Sequence, residues 1–188
     1  PGPLVNGYAT PSFFGAPETR PGVHRAMALE CLRTLATPEG VAKGNADTPV
    51  YAGMTPAYLL HALGSVGEYR AGDRYLRDLV CSLPSSGGAW EYTAIDLPWT
   101  GTDKRRGGDS GVLLAAVMDY LVGLRPTWTG FTIRPHLPAY CRAIEVTGLR
   151  VRGHRLDVRV GRHRSRVILD GRPLALVPAG QSFTWTAG

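Results

Sequence analysis

The chain has 188 residues, of which 44% are hydrophobic and 19% are charged, and its formal net charge is +6. This composition suits one domain or two small ones, and the 24 glycines and 15 prolines are scattered rather than gathered into a disordered tract. The most apolar run, VLLAAVM at 112–118, is far shorter than the roughly 20 residues of a membrane span. We therefore expect a soluble protein with no membrane partner, and the sequence leaves open whether it is cytoplasmic or secreted.

The cysteines and histidines predict no metal site. The three cysteines, Cys31, Cys81 and Cys141, are isolated from one another in the sequence, which argues against a disulfide framework and against zinc. The five histidines are also scattered and form no metal-binding spacing such as HExxH. No Walker-type loop is present, so we expect no nucleotide.

Helical periodicity runs from about residue 20 to residue 125. The first helix is predicted from four apolar residues spaced four apart, at Val23, Met27, Cys31 and Leu35. The second is predicted to begin at Thr55 as N-cap, because Pro56 would then occupy the first helical position.

Two further helices follow in the same half of the sequence. The third carries an apolar stripe and is predicted to end at Pro84; the stripe consists of Tyr75, Leu76, Leu79, Val80 and Leu83. The fourth is predicted to start at Asp109 or Ser110 and to end near Gly123. It is apolar on almost every side, so we expect it to be buried on most of its surface.

Long loops separate these helices. The predicted loop Thr37–Met54 has 18 residues and the loop Pro84–Gly108 has 25, and loops longer than about 12–15 residues are usually functional. The second loop contains GGAWEYTAIDLPWTG, which combines tryptophans, a tyrosine and carboxylates. Four helices with such loops predict a piece of a larger helical assembly, most of which lies outside this chain.

The period changes near Thr129. Four segments alternate apolar and polar residues as strands do, namely FTIRP, AIEVTGLRV, HRLDVRV and SRVILDG. Asp170-Gly171 predicts a turn, and a last strand is predicted near 182–186. The sequence thus predicts an α+β chain with a helical region at 1–127 and an antiparallel β-sandwich domain at 128–188.

Seven arginines lie between Arg150 and Arg166. They mostly alternate with apolar residues, which is typical of the solvent-facing side of a sheet. A nucleic-acid surface needs a basic face combined with aromatic or groove-entering elements. We therefore expect no nucleic-acid partner, and a salt-sensitive nucleic-acid binder is the weakest alternative.

The order and spacing of these features resemble the C-terminal part of glycoside hydrolases built on an (α/α)6 barrel, nearest to the α-L-rhamnosidase type. The resemblance rests on TPVYAGMTPAYLLHALGSVGEYRAGDRYLRDL at 48–79, on the Trp-Glu loop and on GLRPTWTGFTIRPHLP at 123–138. The tail LRVRGHRLDVRV…VILDGRPL is also similar to the β-domain of disaccharide phosphorylases on the same barrel. The resemblance implies an (α/α)6 toroid followed by a β-sandwich, with the rest of the barrel as a partner segment or chain.

The resemblance implies that the glutamate of the Trp-Glu pair, Glu91, is the general base of an inverting glycosidase. Inversion needs a carboxylic acid to protonate the leaving oxygen and a carboxylate to activate water, roughly 6.5–9.5 Å apart. The general acid would lie in the missing part of the barrel. We also expect no cofactor, because hydrolysis of a glycosidic bond requires none. Trp90, Tyr92 and Trp99 offer flat apolar faces with polar edges for a sugar ring.

Other carboxylates are weaker candidates. Asp96 lies in the same loop and could bind sugar hydroxyls, as could Asp103. Asp109 precedes a helix, where an N-cap role would also explain it. Glu18 and Asp47, in FFGAPETR and GNADTPVYAG, could line the same cleft.

Two alternatives to a hydrolase remain open. A phosphorylase on the same scaffold would replace water with inorganic phosphate, which Lys104, Arg105 and Arg106 with the following glycines could hold. The chain could instead be a non-catalytic carbohydrate-binding or scaffold piece, in which the tryptophans only pack the loop down. The predicted substrate is an α-glycoside, an α-L-rhamnoside or a related sugar.

Overall fold

The structure is a computed structural model, and it describes residues 16–38, 40–42, 50–51, 54–86, 93–94, 97–101 and 107–187. The chain divides into two compact units: Pro1–Val117, called the helical unit below, and Met118–Gly188, called the β unit. The sequence pattern alone puts the division at 127/128. The described residues combine helices with antiparallel strands, so the chain is α+β, as predicted, while the (α/α)6 arrangement of the helices stays a prediction.

Four helices lie within the described ranges, and the longest apolar one is not long enough to cross a membrane. Their bounds are α1 Val23–Thr34, α2 Met54–Ser65, α3 Tyr69–Ser86 and α4 Gly107–Val122. The predicted face of α1 is confirmed, since Cys31 and Leu35 are buried and Val23 and Met27 half-buried. Most of α2 is buried and its buried residues occupy several sides of the helix, in keeping with its lack of amphipathic periodicity.

The helix ends differ from the sequence predictions at three points. α2 begins at Met54, so Thr55 lies inside its first turn rather than at the N-cap. The Thr55 hydroxyl is buried, and it has no hydrogen-bond partner in the part of the chain that the structure describes. α3 continues to Ser86, so Pro84 lies in its last turn rather than ending it. α4 begins at Gly107, two residues before Asp109. Caps and prolines set helix ends only to within a few residues, because packing decides whether another turn is added.

Short strands occupy the segments predicted to be long loops. The first such segment contains β2 and β3 and the second contains β4 and β5, and these strands join β1 in one antiparallel sheet with the order β1-β2-β3-β4-β5. Their bounds are β1 Ala36–Thr37, β2 Gly40–Ala42, β3 Val50–Tyr51, β4 Thr93–Ala94 and β5 Leu97–Gly101. Strands of two to five residues are too short to show an alternating pattern in the sequence.

The β unit contains seven strands in two antiparallel sheets. The four-stranded sheet has the order β11-β10-β9-β8 and the three-stranded sheet has the order β12-β7-β6. The strands are β6 Arg125–Pro126, β7 Gly130–Ile133, β8 Ala143–Val151, β9 His154–Gly161, β10 Arg164–Leu169, β11 Arg172–Pro178 and β12 Phe183–Thr186. The predicted turn between β10 and β11 is confirmed, with φ of 50° at Asp170 and 78° at Gly171.

One core holds the two sheets of the β unit together. Its fully buried members come from the last turn of α4, from β7 and from all four strands of the larger sheet; they are Val122, Phe131, Ile133, Val151, Leu156, Val158, Val160, Val167 and Val177. Trp185 of β12 stacks on Phe131 with ring centroids 5.2 Å apart. Each sheet therefore turns one face inward, which is the layered packing of a β-sandwich.

Candidate functional site

The five-stranded sheet frames the segment predicted to carry the chemistry. β3 pairs with β4 through Val50 and Thr93, and β4 pairs with β5 through Thr93–Gly101 and Ala94–Leu97. The chain therefore enters β4 two residues after Glu91 and enters β3 three residues after Asp47. The structure brings two distant stretches of sequence into one sheet at this point, and the sequence pattern did not predict that pairing.

The predicted catalytic and sugar-binding side chains cannot be compared with this framework. Glu91, Trp90, Tyr92 and Asp96 lie outside the described residues, as do Asp47, Asp103 and the cations at 104–106. The structure gives Trp99 a place in β5 and Asp109 a place in the first turn of α4, but describes neither side chain. The roles assigned to these residues stay predictions.

Glu18 has a structural role at the start of α1. Its carboxylate accepts hydrogen bonds from the backbone N–H groups of His24 at 3.0 Å and Gly22 at 3.1 Å. These bonds, first from His24 and then from Gly22, hold the pKa of Glu18 below its ordinary value. A carboxylate that satisfies the free N–H groups of a helix N-terminus is explained without a substrate.

An open cleft of about 270 Å³ lies in the helical unit. It is formed by α1, α3 and the β1 hairpin, and its lining residues are Leu32, Ala36, Thr37, Pro38, Ala71, Arg74, Tyr75 and Asp78. Arg74 and Asp78 are one helical turn apart, so they place a cation and a carboxylate at one wall. Asp78 also pairs with Arg77 at 3.0 Å. The cleft could hold a small polar molecule, but its described lining residues include no pair of carboxylates.

Tyr75 beside this cleft is a buried polar group that sequence reasoning treated only as part of an apolar stripe. It is 5% exposed, and its hydroxyl has no hydrogen-bond partner among the described residues. Burial, and after it the neighbouring Cys31, raises the pKa of Tyr75 well above its ordinary value. Burial likewise raises the pKa of Cys31 to about 12, so both groups are neutral at physiological pH. Cys31 is thus an inert buried thiol rather than a nucleophile.

Trp128 is an aromatic surface that sequence reasoning did not single out. It lies between β6 and β7 and is 93% exposed. The guanidinium of Arg152 lies 5.8 Å from the centre of the indole ring and donates to the carbonyl oxygen of Thr127 at 2.6 and 3.0 Å. An exposed indole supported by a cation can stack on a sugar ring. The sequence signal for this surface is the position of Trp128 within PTWTG, because residues in such a turn are rarely buried.

A polar cluster closes one end of the four-stranded sheet. Asp170 accepts from the backbone N–H of Arg155 at 2.8 Å and pairs with His154 Nδ1 at 2.7 Å. The hydrogen bond with His154, and then that from Arg155, lowers the pKa of Asp170. His154 in turn packs edge-on against Trp185, at 5.1 Å between ring centroids. These contacts fix the β10–β11 turn against β9 and need no ligand to explain them.

The described part of the chain contains no group of three metal-binding side chains. Its three cysteines are not joined in disulfides; Cys31 is buried, Cys141 is half-buried and Cys81 is exposed. The residues that the structure describes therefore supply cation–carboxylate pairs and aromatic surfaces but no candidate metal centre.

The comparisons with known proteins bear on the β unit. Residues 124–185 match the family model of the glycosyl hydrolase family 65 C-terminal domain, which covers about a third of the chain. A search of curated proteins gave no match. The chain therefore carries a C-terminal β-domain related to glycoside hydrolases, while the match does not single out the rhamnosidase type. Every predicted site residue precedes the matched segment.

Proposed function

We propose that the chain is the C-terminal part of an (α/α)6-barrel carbohydrate enzyme that cleaves an α-glycosidic bond with inversion. The observation that carries the proposal is the match of residues 124–185 to the C-terminal domain of a glycosyl hydrolase family. That domain follows a helical unit with the Trp-Glu segment, in the order expected for such an enzyme. An α-L-rhamnoside is the first substrate to test, because the sequence of the helical unit is nearest to that type.

Exposed apolar residues on three helices support a missing helical layer. Met54 of α2 is 40% exposed, Val80 of α3 is 49% exposed and Leu114 of α4 is 64% exposed. Val80 stands in the apolar stripe of α3 that the sequence predicts to be buried. Apolar side chains exposed on helix surfaces can pack against further helices. In an (α/α)6 barrel the remaining helical hairpins would supply those helices.

In this proposal Glu91 is the general base. It would remove a proton from the water that attacks the anomeric carbon, while a carboxylic acid from the rest of the barrel protonates the leaving oxygen. The five-stranded sheet supports the assignment, because β4 begins two residues after Glu91 and is anchored by its pairing with β3 and β5. Trp90, Tyr92 and Trp99 would bind the sugar ring.

The test is Glu91→Gln in the protein that contains the rest of the barrel, with turnover of aryl α-glycosides measured across pH. Loss of a general base predicts a turnover reduced about 10²–10⁴-fold, with the acidic limb of the pH profile removed. Glu18→Gln is the matched control, since that carboxylate caps α1 and should leave turnover unchanged. A Glu91→Gln protein within a few-fold of wild type would favour the non-catalytic carbohydrate-binding alternative.

A phosphorylase is the second candidate, and the family match favours it as much as it favours a hydrolase. Its acceptor would be inorganic phosphate, held by Lys104, Arg105 and Arg106. Turnover that requires phosphate and yields a sugar phosphate would identify this reaction, whereas a free sugar formed without phosphate would identify hydrolysis. In a phosphorylase, Arg105→Gln should raise the KM for phosphate more than the KM for the sugar.

A further inference from the structure

Positive charge is concentrated in the β unit. Residues 118–188 contain eleven arginines, no lysine and four acidic residues, a formal charge of +7, whereas residues 1–117 have a formal charge of −1. Arginine presents a planar fork of donors that fits carboxylate, sulfate and phosphate groups in a bidentate manner. The net positive charge of the chain therefore comes from the β unit, where arginine supplies all of the positive charge counted.

The register of the four-stranded sheet puts five of these arginines on its outer face. Leu156, Val158 and Val160 of β9 point into the core, so the alternate residues Arg155 and Arg159 point outward. The same alternation turns outward Arg150 of β8 and Arg164 and Arg166 of β10. All five arginines are exposed.

Two pairs of these arginines lie directly opposite each other across neighbouring strands. Arg159 pairs in register with Arg166, and Arg150 pairs with Arg155. Like charges in such positions destabilise a sheet, because their Cβ atoms are only about 4.5–5.5 Å apart. The two pairs are four positions apart along β9, from Arg155 to Arg159, which is roughly 13 Å along the strand.

Few carboxylates neutralise this face. Asp157 is engaged locally, since it accepts from Gly148 N–H at 2.6 Å and pairs with Arg155 at 3.3 Å. Glu145 is opposite Arg159 in register, yet in the described part of the chain no carboxylate lies within ion-pairing distance of Arg159 or Arg166. An external anion would relieve the repulsion between these two guanidinium groups.

We propose that the outer face of the four-stranded sheet binds an anionic polysaccharide, a glycan whose sugars carry carboxylate or sulfate groups. A protein partner would need an apolar centre, but the large apolar side chain exposed on this face is the isolated Leu176, at 58%. Nucleic acid is bound through stacking aromatics or a groove-entering helix or ribbon, and the outward positions of β8 to β11 carry no aromatic residue. Cations spaced along a flat sheet suit a charged, extended chain of sugars.

The residues of the outer face are not among those assigned to catalysis. The proposal therefore does not require Glu91 to be a base. This face could bind an anionic glycan even if the protein catalysed neither hydrolysis nor phosphorolysis. An anionic glycan held there would tether the protein to its polymer independently of the site that cleaves it.

The test measures binding of the chain to polygalacturonate, dextran sulfate, uncharged dextran and duplex DNA at low and moderate salt. The expected result is binding to one or both charged glycans, none to uncharged dextran, and affinity that falls as salt rises. The double variant Arg159→Gln/Arg166→Gln should weaken glycan binding about tenfold and reduce the salt dependence. Its melting temperature should be unchanged or higher, because a like-charge pair has been removed.

Arg134→Gln/Arg172→Gln is the matched control, since it removes the same charge from exposed arginines elsewhere in the β unit. Arg134 follows β7 of the other sheet, and Arg172 is in register with Leu169, which packs on the core. The control should weaken binding less than threefold. Equal weakening by both double variants, tighter binding to DNA than to either glycan, or no binding to a charged glycan would overturn the proposal.

Discussion

The helical unit and the β unit differ in how well their own residues satisfy the groups they bury. In the helical unit the hydroxyls of Thr55 and Tyr75 are buried with no hydrogen-bond partner among the described residues, and no such atom occurs among the described residues of the β unit. The β unit closes one core between two sheets. Both units leave large apolar side chains exposed, at Met54, Val80 and Leu114 in the helical unit and at Trp128, Tyr140 and Leu176 in the β unit. The difference in buried hydroxyls is what the proposed barrel would produce, because its further helices could supply partners to the helical unit.

The largest expected effect tests the single core of the β unit. Phe131 is fully buried between the two sheets and stacks on Trp185. Phe131→Ala should lower the free energy of unfolding of the β unit by about 3–5 kcal/mol, because the cavity removes contacts on both sides. Denaturant unfolding followed by tryptophan fluorescence measures it. A loss below about 1 kcal/mol would mean that the two sheets do not share one core.

The second prediction concerns the contact between the central strand β7 and the edge strand β12 of the smaller sheet. A Cβ at Gly130 would collide with the backbone carbonyl of Trp185, which is part of β12 and cannot move without breaking the pairing. Gly130→Ala should therefore cost about 1–3 kcal/mol of stability or more. Gly111→Ala is the matched control in α4, because a Cβ there meets nothing within 4 Å and helix propensity should make the change neutral or stabilising.

A smaller effect of opposite sign is expected in the helical unit. Tyr75→Phe removes a buried hydroxyl that has no partner within the described ranges, so the free energy of unfolding should stay within about 1 kcal/mol of wild type and shift toward greater stability. Thermal unfolding measures the shift. A clear loss of stability would show that the Tyr75 hydroxyl has a partner in solution, and would weaken the contrast between the units.

The smallest effect is a pH dependence of the β unit. Hydrogen bonds from His154 and the Arg155 N–H lower the pKa of Asp170 in the folded state below its ordinary value of 3.8. A depressed carboxylate contributes stability that is present above the unfolded pKa and is lost as pH falls through the folded pKa. Unfolding measured from about pH 5 downward should therefore show declining stability, and Asp170→Asn should flatten this decline. An unchanged acid limb in that variant would count against the assignment.

The sequence predicted well wherever a residue pattern repeats over many positions. The alternation in HRLDVRV gave the strand β9 and correctly divided Leu156 and Val158 from Arg155 and Arg159. The four-residue spacing gave the buried face of α1, and Asp170-Gly171 gave the turn. The prediction of a buried apolar stripe on α3 was wrong at Val80, which is exposed.

The candidate site was predictable only in part. The composition of the Trp-Glu segment distinguishes it from the rest of the sequence. The role of Glu91 as general base was predicted from the family resemblance and not from the surrounding residues. The cleft beside Tyr75 was not predictable. In the sequence, Arg74 and Asp78 resemble ordinary solvent-facing residues, and the cleft exists only because α1 and the β1 hairpin pack against α3.

The sequence by itself determined the two periods, the α+β class and the unequal distribution of arginine, because these depend on residues that are close along the chain. Tertiary structure alone decided the pairing of Val50 with Thr93 and of Arg159 with Arg166. Pairing between strands depends on register and on the burial of both faces, and no local pattern fixes which partner a short strand will find.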